Sequence, residues 1–153
     1  MKCTNNPRRV MAAALFTAIT LSALPVGAQT ADPAKPMAFR SAMDKLGRDM
    51  QAVTGAISGE DWALVAELVP KIAHHDEPPA EELKAIHGWL GSNGGKFHRL
   101  DEQTHKAAVA MGNAAKRGNG KAVISAFEKV QQSCLACHQS FRKSFVEHFY
   151  AKR

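Results

Sequence analysis

Cys134, Cys137 and His138 have the types and spacing for redox chemistry on a bound iron. Within Ser133 to Arg142 they spell C-x-x-C-H, the attachment signature of c-type haem. On a helix, two thiols three positions apart share one face, so each can add across one vinyl group of a single porphyrin. His138, four after Cys134, shares that face, and its imidazole can supply the proximal axial bond to iron. The cofactor specified is one covalent haem c. Two other chemistries use a C-x-x-C pair. A thioredoxin-type redox site expects strands alternating with helices, and no strand pattern is found here. A zinc site needs four ligands, and no second Cys pair exists to complete them.

The start of the chain agrees with a haem attached outside the cytoplasm. Lys2, Arg8 and Arg9 form a basic start, Val10 to Leu24 is apolar, and Val26-Gly27-Ala28 offers small residues at a cleavage position. Residues 1–28 are thus expected to be a secretory signal peptide, and residues 29–153 one domain. The apolar run falls short of the roughly 20 residues that span a bilayer, so no stable membrane anchor is expected after cleavage. Cys3 leaves with the leader and the motif uses the other two cysteines, so no disulfide framework remains. Cys3 also precedes the apolar run, which excludes it as a lipid-modified first residue of the mature protein. The formal net charge of +6 falls by three with Lys2, Arg8 and Arg9, and no basic stripe interleaves with aromatics. A nucleic-acid partner is not expected.

The elements that must position the motif are helices. Beyond Pro33 and Pro36, Phe39, Met43, Leu46, Met50, Val53 and Ile57 recur at steps of four and three, a helical face that ends at Ser58-Gly59. Glu60 and Asp61 open a second helix, whose face is Trp62, Val65, Val69, Ile72 and Ala73 and which runs to about His75. Pro70 either kinks or splits it. His74, His75 and Asp76 suggest a metal cluster, but adjacent histidines point to different faces, and a solvated helix end is the simpler reading. From Asp76 to Gly95 the chain is irregular: Pro78-Pro79 forbids a helix, Ala80 to Leu90 allows a short one, and Gly91 to Gly95 is a flexible loop. His87 and Trp89 lie there, with Trp89 suited to cover core or haem.

Phe97, Leu100, Thr104, Ala107, Ala108, Met111, Ala114 and Ala115 define a third helix ending at Gly118-Asn119-Gly120, its small residues allowing a neighbour to approach closely. His98 and His105 share a face without a third partner and read as rim residues. The last helix carries Val123, Phe127, Val130, Cys134, Cys137, Phe141, Phe145 and Phe149, so the motif sits inside it, before the basic end Lys152-Arg153. Short links join helices one to two and three to four, and a longer crossing joins two to three. The fold expected is all-α, an antiparallel four-helix bundle with covalently bound haem near its C-terminal end.

A haem motif near the C-terminus of such a chain, with Cys134-Leu-Ala-Cys137-His138-Gln-Ser-Phe141-Arg142, resembles the class II cytochromes c, cytochrome c prime and its low-spin c-556-type relatives. Phe39-Arg40-Ser-Ala-Met43 and Gly47-Arg48-Asp49-Met50 look like the segment those proteins lay across the distal haem face. The glycine-rich 91–95 stretch departs most from the family pattern. The resemblance implies that Arg142 is the arginine kept beside the proximal histidine and that Met43 is the distal axial ligand, with Met50 its rival. Arg142 and Arg40 are the candidates to pair with haem propionates. Relatives often pair through helices one and two, which extends to a homodimer here.

Within this group an apolar distal residue leaves iron five-coordinate and open to nitric oxide or carbon monoxide, and a methionine makes it six-coordinate. One covalent haem, no acid or base constellation beside it and an available methionine point to a periplasmic electron carrier, not an enzyme, working with periplasmic redox partner proteins. The alternative is a five-coordinate protein that binds nitric oxide or carbon monoxide. A peroxidase would need a distal proton acceptor, and no histidine can be placed there.

Overall fold

The computed structural model describes residues 37–150. The expected leader and its cleavage position, Cys3, Pro33, Pro36 and the terminal Lys152-Arg153 lie outside the described residues. Among those described, the chain forms helices and turns and no strand. The helices are α1 (Ala38–Ser58), α2 (Trp62–Ala73), α3 (Ala80–Leu90), α4 (Gly94–Lys116), α5 (Gly120–Cys137) and α6 (Lys143–Tyr150). A 3-10 turn, Gly91–Asn93, joins α3 to α4, and a π-helical turn, His138–Arg142, joins α5 to α6.

The four-helix bundle expected from periodicity is α1, α2, α4 and α5. α1 packs on α2, α2 on α4, α4 on α5, and α5 returns to α1. The tight links have local causes. Asp61 accepts the Leu64 amide hydrogen at 3.0 Å and so caps α2, and Asn119 does the same for Ala122 at 3.1 Å to open α5. Gly118, at φ 63, makes the left-handed step between α4 and α5 that a β-carbon would resist. The small residues of α4 do admit a neighbour: a β-carbon on Gly112 would stand 3.0 Å from Val69 Cγ1. α2 therefore lies close against α4.

Apolar side chains segregate into two clusters. Val53, Val65, Ile72, Met111, Val123 and Val130 are fully buried or nearly so in the main core, and each such burial contributes on the order of 1.5–3 kcal/mol. Ile86, Leu90, Phe141 and Phe145 form the second, joined by Met37, Phe39, Trp89, Phe97, Cys137, Phe149 and Tyr150. Trp89 stands edge-on to Phe145 at 5.4 Å, so it covers this aromatic core.

Three expectations change. α2 runs through Pro70 and ends at Ala73, short of His75. Proline removes one donor in the last turn, where few bonds depend on it, and His74 still donates to the Pro70 carbonyl at 2.9 Å. Gly91 to Gly95 is not a loop: Gly91, at φ 50, redirects the chain, and α4 has already begun at Gly94. The last helix is not uniformly α, because the turn after the motif widens. Its seam advances by steps of four through Phe141, Phe145 and Phe149, and one turn closed by i→i+5 bonds takes up the extra residue that would otherwise rotate the rings off the core.

Candidate haem site

Each long helix passes from one cluster to the other, and the space between the clusters is a cavity of about 660 Å³. On α1, Phe39 belongs to the aromatic cluster, Met43 and Leu46 line the cavity, and Met50 and Val53 belong to the main core. On α4 the same sequence is Phe97, then Asp101 and Thr104, then Ala108 and Met111. On α5, Cys134 packs against the main core and Cys137 against the aromatic cluster, and both open into the cavity with His138. The structure thus brings Cys134, Cys137, His138 and Met43 to one space. Met50, two turns beyond Met43, is held in the core and lines no part of it.

The motif is registered against α4 by a buried polar contact. Ser133, 7% exposed, donates to the Val130 carbonyl at 2.9 Å, and the Thr104 hydroxyl donates to Ser133 Oγ at 2.9 Å. After the motif, Ser140 donates to the Ala136 carbonyl at 2.8 Å and Ser144 to the Phe141 carbonyl at 3.1 Å, covering acceptors around the widened turn.

Electrostatics separate the candidate chemistries of the thiols. Burial pushes Cys134 up, and burial, with the negative charge of Asp101 next, pushes Cys137 up to about 11. Both sulfurs are held as neutral thiols at neutral pH. A disulfide oxidoreductase needs a depressed thiolate, so that chemistry is disfavoured. Among the described residues no three His, Cys, Asp or Glu side chains converge to hold a metal ion by themselves, which removes the zinc reading.

The residues present fit a haem. The volume lies within the about 300–1,000 Å³ usual for cofactor sites, the walls from Phe39, Leu46, Leu83, Leu90 and Phe97 are apolar, and two thiols, a thioether and four imidazoles, that of His138 among them, line the space. Cys134 and Cys137 would hold the ring edge, and His138 and Met43 would be donors to iron, with the imidazoles of His75, His87 and His98 also lining the space.

Arg142 and Arg40 do not join them. Arg142 is exposed and lines no part of the cavity. Arg40 is also exposed, with its guanidinium 5.7 Å over the Tyr150 ring and its Nε 4.0 Å from Asp44 Oδ2. It lies on the aromatic side of the cavity and not on its wall.

Sequence reasoning missed the polar wall. His75, His98 and Asp101 line both the main cavity and an adjoining cleft of about 400 Å³ that His74 and His105 complete. His75 Nε2 lies 3.2 Å from Asp101 Oδ1, a pairing that raises the His75 pKa and lowers that of Asp101. His105 Nδ1 stands 2.7 Å from the Ala73 carbonyl, and its ring meets His74 edge-on at 5.1 Å. The end of α2 is therefore solvated at His74 and Asp76, as expected, with His75 half-buried and paired to Asp101. No one-helix pattern signals this polar wall, because its members come from two elements. His87 and Leu83, from the short α3, also line the main cavity.

A family model for cytochrome c' matches residues 89–142, which span the end of α3, the whole of α4 and α5, and the π turn. The matched stretch includes the C-x-x-C-H motif and excludes α1, where Met43 lies. The family implies a haem c cofactor. No curated protein matches the chain significantly. Among the described residues no helix is long and apolar enough to cross a membrane.

Proposed function

We infer that the chain is a periplasmic monohaem c-type cytochrome acting as an electron carrier, a reading supported by the match of residues 89–142 to the cytochrome c' family model. The observation that carries this reading is the cavity where both thiols, His138 and Met43 meet between two apolar clusters. Haem c, when bound, supplies a one-electron iron couple. Cys134 and Cys137 would hold it by thioether bonds, and the His138 imidazole and Met43 thioether would be its iron donors. A His and Met pair raises the potential of such a couple. Phe39, Leu46, Leu83, Leu90 and Phe97 exclude water from it. The protein binds no substrate in this role and exchanges electrons with periplasmic redox partner proteins, as a monomer or a homodimer.

The ferrous absorption spectrum tests the reading. The expected result is a low-spin spectrum unmoved by carbon monoxide, with haem that stays on the protein in acid acetone. Met43→Ala should become high-spin and respond to carbon monoxide, and Met50→Ala should keep the wild-type spectrum. A wild-type protein already high-spin and responsive would support the five-coordinate gas-binding alternative. Low-spin Met43→Ala with high-spin Met50→Ala would move the ligand to Met50.

A further inference from the structure

The distal wall of the cavity starts at a helix end that cannot cap itself. α1 opens at Ala38 behind Met37, which has no side-chain acceptor for the free amides of the first turn. A carboxylate far along the chain supplies it. Glu82, in the first turn of α3, accepts the Ala38 amide hydrogen through Oε2 at 2.9 Å and the Phe39 amide hydrogen through Oε1 at 2.6 Å. Both oxygens of one anion meet the positive end of the α1 dipole, the arrangement in which hydrogen bonds to backbone amides are strongest. Among the described residues these two are the hydrogen bonds that join α1 to α3.

What they join are facing walls of one cavity. Met43 stands about one turn beyond Phe39 on α1, and Leu83, next to Glu82, faces the same space with His87 and Leu90. α3 lies outside the main core and is held in the aromatic cluster through Ile86 and Leu90. Pro78-Pro79 precede it, and Gly91, at φ 50, follows it. We propose that Glu82 is a positioning residue: its clasp on the first turn of α1 keeps Met43 on the iron and α3 closed over the cavity, and so sets how readily an outside ligand displaces the methionine. The inference rests on Met43 being the distal ligand.

The test is the rate of carbon monoxide binding to the ferrous holoprotein, with its absorption spectrum and melting temperature recorded for each variant. Glu82→Ala should keep a low-spin spectrum without carbon monoxide and then bind the gas at a measurable rate, at least tenfold above the detection limit under which wild type stays unmoved. Glu82→Gln, which keeps one neutral acceptor, should fall between the two. Val65→Ala, buried in the main core and lining neither cavity, controls for general loosening. It should lower the melting temperature without changing the rate. Wild-type rates in both Glu82 variants, or an equal acceleration in Val65→Ala, would overturn the clasp and leave Met43 ligation standing. A high-spin wild-type protein would overturn the ligation reading and the clasp with it.

Discussion

Replacing Asp101 by Asn removes a pH-dependent part of the stability, and the sign follows from the pairing. His75 Nε2 and Asp101 Oδ1 are 3.2 Å apart, with the side chains 26% and 49% exposed. A buried charge-assisted hydrogen bond would contribute about 1.5–3 kcal/mol, but the half-exposed Asp101 is screened by water, which brings the pair to about 0.5–1 kcal/mol. The His75 pKa is raised above its ordinary 6.5, chiefly by the Asp101 hydrogen bond, so its contribution is complete below 6.5 and fades as pH rises through the raised value. The Asp101 pKa is lowered below its ordinary 3.8, chiefly by His75, so its contribution is complete above 3.8 and fades as pH falls through the lowered value. The pair is therefore strongest between those limits. Asp101→Asn should lower the melting temperature of the holoprotein by about 2–5 °C at about pH 5 and by clearly less at about pH 9. His75→Gln should show the same window, and the double variant should lose little more than either single one. An equal loss at both pH values, followed by circular dichroism, would refute the charge argument and leave only packing.

Three other substitutions probe what holds the site. Gly120→Ala would place a β-carbon 2.8 Å from Trp62 Cζ2 and 3.0 Å from Cη2, so at this first position of α5, where helix propensity gains little, it should destabilise by about 1–2 kcal/mol. An unchanged denaturation midpoint would mean that the indole moves aside freely. Thr104→Val removes the hydroxyl against Ser133 and should cost about 1 kcal/mol, with the haem still covalently held in acid acetone. A loss of attached haem would show that the α4 contact is needed to present Cys134. Arg142→Ala, exposed and off the cavity wall, should leave spectrum and midpoint potential unchanged, and a shifted potential would show that its guanidinium reaches the haem after all.

What the sequence made legible was what runs along one helix. Phe39 through Ile57 and Val123 through Val130 announce their buried faces by spacing, and Ser58-Gly59 and Gly118-Asn119-Gly120 mark ends that the structure keeps within a few residues. The motif announces itself by residue type. What depends on pairing between helices was not legible. His74 and His75 looked like a solvated helix end and His98 and His105 like rim residues of another helix, and only the packing of α2 on α4 puts them around one cleft. The same holds for Glu82, whose two hydrogen bonds cross more than forty positions.

The π turn misled differently, because the sequence does carry its trace. From Cys137 the seam steps by four to Phe141, Phe145 and Phe149, where a regular helix would need an occasional step of three to stay on one face. Such drift can be absorbed by rotating the rings away from the core or by widening one turn, and burying Phe141 and Phe145 decides for the second. Widening also fixes what each neighbour of His138 can do. The thiols lie before the wide turn, in regular α-helix, where three positions bring Cys134 and Cys137 to one face. Arg142 lies within it and is exposed. One local change in winding thus keeps Phe141 and Phe145 buried beside the cavity and leaves untouched the spacing that attachment needs.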